Sequence, residues 1–88
     1  MGTLHWVGFP PARQDLLQQL HASVGPQDTL LLVDAGLLHA RHPALLAQLP
    51  TPLPCHCFGP SAAATPSLDA AALAELCVRY PRHLNWWP

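Results

Sequence analysis

Apolar residues in this chain fall into short runs separated by proline- and glycine-rich punctuation. The first run, Thr3–Val7, has the composition of a strand and ends at Gly8, Pro10 and Pro11. Pro11 suits the first turn of a helix. Leu16, Leu17, Leu20 and Val24 then recur at helical spacing until Gly25-Pro26 stops them. Thr29-Leu30-Leu31-Leu32-Val33 is apolar without alternation, the pattern of a strand buried on both faces. It ends at Asp34-Ala35-Gly36. From Leu37 to Leu49 the spacing is helical but Pro43 interrupts it, so a helical turn over 37–40 and a helix from Pro43 to Leu49 are expected. Pro50, Pro52 and Pro54 form a stiff connection to a third strand, Leu53–Phe58, and Gly59 to Pro66 reads as a flexible loop of small residues. Ser67 or Asp69 can cap a last helix, with Leu68, Leu73, Leu76 and Cys77 toward the core. That helix stops at Tyr80, before Pro81.

Strands alternating with helices predict an α/β fold: a small three-layer domain, 1–88, with a mainly parallel sheet flanked by helices. Right-handed crossovers are the default for such a sheet. The tail after Pro81 could add a short last strand at the sheet edge. No internal repeat is present.

Composition sharpens this picture. Half of the 88 residues are apolar and only 10% are charged, against roughly 25% in an average domain. A chain this short has a thin core. An obligate interface is one outlet for the excess; a compositional bias toward Ala, Leu and Pro is the other. The net charge of −1 and the absence of a basic stripe argue against direct nucleic-acid binding. No window is long and apolar enough for a membrane span, and the N-terminus lacks the basic start and apolar stretch of a leader, so a cytoplasmic location is expected. Three cysteines in such a chain do not suggest a disulfide framework.

The tail Val78-Arg79-Tyr80-Pro81-Arg82-His83-Leu84-Asn85-Trp86-Trp87-Pro88 carries two adjacent indoles. Chain ends are usually polar, and exposed tryptophans make an apolar patch, so this segment is expected to dock on its own domain or on a partner. Tyr80, Arg82, Trp86 and Trp87 are the candidate interface residues, of types enriched at interfaces.

Cys55-His56-Cys57 is the candidate thiol site. On a strand the two cysteines share one face and His56 takes the other. They are either two small buried strand residues or the carriers of a persulfide, which would need an exposed thiolate. A zinc site wants four ligands, commonly in pairs, and no second pair exists; no metal and no cofactor are expected. His39 and His42 could share a helix face, but Pro43 favours a solvated helix end. His5 and His56 could lie on neighbouring strands; His5, His21 and His83 have no evident partner in the sequence. Asp34-Ala35-Gly36 stands where α/β proteins place ligand loops, or is a strand-to-helix turn that uses the backbone freedom of glycine. No nucleotide-binding or nucleophile-elbow motif is present, and no nucleophile and base are evident, so an independent enzyme is not expected.

Three pieces of the chain resemble one family. Thr3-Leu4-His5, then Thr29-Leu30-Leu31-Leu32-Val33-Asp34-Ala35-Gly36, then Leu76-Cys77-Val78-Arg79-Tyr80-Pro81 followed by Trp86 look like the TusB/DsrH family of sulfur-relay subunits. The departures are Ala35 between Asp34 and Gly36, Tyr80 in place of a histidine before the proline, and no cysteine between Arg13 and Val24. The resemblance implies a non-catalytic subunit that joins paralogous DsrE-like and DsrF-like (TusD/TusC-like) chains in a heterohexamer, a paralogue supplying the sulfur-accepting cysteine. It further implies a role in 2-thiolation of the tRNA wobble uridine. The alternatives are a DsrH-type subunit of sulfur oxidation and a stand-alone thiol carrier using Cys55 or Cys57.

Overall fold

The computed structural model describes residues 2–50, 52–59 and 67–88. Most of the loop expected over 59–66 lies outside the described residues. Four strands, β1 (Thr3–Val7), β2 (Thr29–Leu32), β3 (Cys55–Cys57) and β4 (Arg82–Trp86), form one sheet in the order β3-β2-β1-β4. Every neighbouring pair is parallel. The fold is therefore α/β with a parallel sheet, as the alternation of elements predicts.

Chain order explains the layers. From β1 to β2 to β3 the chain moves in one direction across the sheet. Its connections are helix α1 (Gln14–Ser23), then a 3-10 helix (Asp34–Arg41) and the short helix α2 (Pro43–Leu46). These pack on one face, where Leu17 and Leu20 of α1 meet Val7, Leu30, Leu32 and Cys57. From β3 to β4 the chain crosses back past β2 and β1, so a connection of the same hand must run over the opposite face. Helix α3 (Ala70–Arg79) does so, and its Leu76 packs with Leu4, Leu31 and Val33. The unalternating run of β2 follows directly, since both of its faces are covered: all four residues are buried.

Local chemistry sets the element ends. The carboxylate of Asp69 accepts from the backbone N–H of Ala72 at 2.7 Å and caps α3. The segment expected to hold only a helical turn winds instead as eight residues of 3-10 helix, long for that conformation. His42 is then extended, φ −137°, as a residue before proline should be. Helix α2 is one turn rather than reaching Leu49, and β3 is shorter than the Leu53–Phe58 run suggested.

Gly36 corrects one expectation. Its place in the turn is not explained by left-handed backbone: Asp34, at φ 51°, takes that conformation. What Gly36 supplies is close approach, since a Cβ there would collide with the carbonyl oxygen of Val7.

The tail forms β4, parallel to β1 with Thr3 opposite Arg82 and Val7 opposite Trp86. Its sheet partner is thus the first strand, the most distant in sequence.

Candidate functional site

The best-connected polar cluster joins β1, the turn before β2, and β4. Asp28 follows the Gly25-Pro26 turn, and its carboxylate accepts from the backbone N–H of Thr3 and of Gly25, both at 2.9 Å. His5 is wholly buried, and its Nε2 lies 2.7 Å from Asp28 Oδ2. On its other side the indole N–H of Trp86 donates to His5 Nδ1 at 2.9 Å. An Nδ1 that accepts places the ring proton on Nε2, so Nε2 donates to the carboxylate. Burial pushes the Asp28 carboxyl up, but the Gly25 N–H, the His5 ring and the Thr3 N–H together outweigh it and hold the group below its ordinary value. Each buried polar atom of His5 is satisfied, which is the condition for such a network to stabilise rather than strain a core.

A second pair lies on the opposite face of the same two strands. The indole N–H of Trp6 donates to His83 Nδ1 at 3.2 Å, their ring centroids 5.9 Å apart. Each tryptophan therefore reaches diagonally across the ladder to the histidine two register positions behind it, Trp86 to His5 on one face and Trp6 to His83 on the other. His5 and His83 are not unpartnered, as their isolation in sequence suggested. Neither is His21, whose Nε2 lies 2.6 Å from the carbonyl oxygen of Gln48. Nor is His5 beside His56: β2 separates their strands.

The thiols sit elsewhere. Cys57 is fully buried in the cluster beneath α1, and Cys55 is half-buried against the same cluster, so the two share a face as strand alternation requires. Burial, with a smaller contribution from Cys57, pushes the Cys55 thiol up to about 12. Burial raises Cys57 as well. An acceptor of persulfide sulfur needs the opposite: an accessible thiol poised to ionise. His56, on the other face, lines a cleft of about 110 Å³ with Ala72, Glu75 and Arg79 of α3. Its basicity is lowered by burial and then by the charge of Arg79.

His39 is not at a solvated helix end. It is wholly buried, edge-on to Phe9 at 5.4 Å, with its Nε2 3.1 Å from the Phe9 carbonyl oxygen. The 3-10 winding turns it inward, while His42 is exposed. Among the described residues no group of three or more His, Cys, Asp or Glu side chains could hold a metal ion.

The candidate interface residues divide. Tyr80 is committed to its own domain, its hydroxyl oxygen accepting from the buried Thr29 hydroxyl at 2.7 Å. Trp86 is half-buried against its own sheet. Trp87 covers Gly8 but remains 46% exposed, and Arg82 is exposed. Sequence reasoning missed His5, Asp28, Trp6 and His83. The signal for them is a strand register, which no local pattern contains.

Against protein families, curated proteins and solved structures, the chain has no significant match. Among the described residues no helix is long and apolar enough to cross a membrane.

Proposed function

We propose that this chain is an accessory, non-catalytic subunit of a cytoplasmic sulfur-relay assembly, resembling the TusB/DsrH subunits. Its partners in this reading are DsrE-like and DsrF-like paralogues in a heterohexamer, and the relay serves 2-thiolation of the tRNA wobble uridine. One observation carries the non-catalytic part. The Cys55 thiol, packed against the core and pushed up to about 12, is a poor sulfur acceptor, and Cys57 beneath it is sealed. In this reading the incoming sulfur is accepted by a cysteine of a paralogue. The parallel sheet and the absence of a cysteine from α1 are compatible with that role.

The test is reconstitution. The chain is co-expressed with its two paralogues, the complex is loaded with a persulfide donor, and intact-mass spectrometry locates the added sulfur. The expected adduct is on a paralogue, and thiolation of tRNA should survive Cys55→Ala with Cys57→Ala. An adduct chiefly on this chain would establish a thiol carrier instead. Deletion of this chain that abolishes sulfur oxidation and leaves tRNA thiolation intact would assign the DsrH-type branch.

A further inference from the structure

We propose that the outer edge of β4 is a self-pairing surface: two copies of this chain join β4 to β4 in antiparallel fashion, making one continuous eight-stranded sheet. The inference does not rest on the sulfur-relay reading, and its failure would leave that reading standing.

The argument starts from which backbone groups are free. The carbonyl of Trp86 accepts from the N–H of Gly8 at 2.9 Å. In a parallel ladder the residues bonded to a given neighbour alternate along the strand. Arg82, Leu84 and Trp86 therefore turn their backbone groups toward β1, and His83 and Asn85 turn theirs outward. At the other edge of the sheet, β3 is bridged at Cys57 by Ser67, which covers part of it. Among the described residues β4 carries no such cover. It is also longer, five residues against three, and has no proline within it. An edge of that kind is a template for another strand.

The occupant follows from self-complementarity. Two copies of one strand related by a two-fold axis run antiparallel and contact each other isologously. Centring the axis on Leu84 sets His83 opposite the second copy's Asn85, so the outward N–H and C=O groups meet in matched pairs. Leu84, 47% exposed, then meets its own counterpart. Arg82 falls opposite the second copy's Trp86, on the same face of the sheet, where a guanidinium and an indole attract. A five-residue edge is small for an interface, so the dimer is concentration-dependent rather than obligate.

The test is sedimentation equilibrium of the full chain up to millimolar concentration, with four variants. Asn85→Pro removes one outward N–H and leaves the β1 ladder intact, because proline is tolerated on an edge strand where its nitrogen faces solvent. Leu84→Lys places two ammonium groups on the axis without touching the core. Each should weaken dimerisation by at least about tenfold. Leu84→Cys should form an intermolecular disulfide under mild oxidation, because residues facing across the axis are within reach of one; Arg82→Cys and the parent chain should not. If Asn85→Pro fails to fold, Leu84→Lys and the crosslinks still decide. A chain that stays monomeric at every concentration overturns the proposal. So does a dimer that survives Leu84→Lys, or crosslinking that favours Arg82→Cys.

Discussion

The indole N–H of Trp86 donates to Nδ1 of His5 across 81 residues of sequence, and that single bond ties the last strand to the buried polar centre of the first. It also sets the proton on the far side of the ring, toward Asp28. The tail is thus part of the domain's own structure.

Trp86→Phe keeps the ring's apolar bulk and deletes the N–H. His5 Nδ1 is then a buried acceptor without a partner, which costs about 1–3 kcal/mol. Truncation after Leu84 removes both indoles and should destabilise by more. Trp87→Phe, whose ring is 46% exposed, should cost less than about 1 kcal/mol. Thermal unfolding orders the variants. An unchanged midpoint in the truncated chain would mean that the end of β4, with its two indoles, contributes nothing to folding.

Gly36→Ala should be among the most damaging small substitutions, costing about 3 kcal/mol or more, because the added methyl meets the Val7 carbonyl of a central strand that cannot retreat. Gly25→Ala is the control. The nearest atoms a Cβ there would meet are those of the Asp28 carboxylate, no closer than 3.7 Å, and its effect should stay within about 1 kcal/mol. Urea denaturation of the pair provides the comparison, and equal effects would contradict the close-approach role.

Stability should fall in two stages as the solution is acidified. Burial outweighs the Phe9 carbonyl and lowers the proton affinity of His39, so the unfolded chain takes up that proton first. Stability is then complete above the ordinary histidine value of 6.5 and declines as pH falls below it. The carboxyl of Asp28 is held below its ordinary 3.8, so its contribution is present above that value and lost as pH falls through the lower folded one. Urea midpoints measured against pH should lose slope in the first stage for His39→Leu, with the remainder there belonging to His56, and lose slope in the second for Asp28→Asn. Unaltered slopes would show that neither group is linked to folding.

Cys55 should resist alkylation in the native protein. A thiol moved from 9.0 to about 12 carries roughly a thousandfold less thiolate near neutral pH, one decade per unit. Iodoacetamide labelling followed by peptide mapping should show Cys55 and Cys57 modified far more slowly in the native chain than in urea. Rapid native modification of Cys55 would revive the thiol-carrier reading.

How much of this was legible follows from the range of each interaction. Prolines and glycines act on their own residue and its neighbours, and run length separates β2 from a helix. So the strand–helix alternation, the inward face of α3 and the cap at Asp69 could be read locally, and the parallel α/β class with them. The alternation of a strand also placed Cys55 and Cys57 together, away from His56. His39 was misread because a helix and a 3-10 helix rotate the same residue to different sides.

Strand order, by contrast, depends on which buried faces satisfy one another across the whole chain. That β4 lies beside β1, 77 residues separating Trp6 from His83, is decided by α3 needing the sheet face that α1 leaves open. Register then determines partners, because sliding one strand by a single residue exchanges its faces. The sequence by itself determined which elements exist and that their buried faces are apolar. Only the tertiary structure decided that two histidines and two tryptophans, at opposite ends of the chain, would clasp the same pair of strands from both sides.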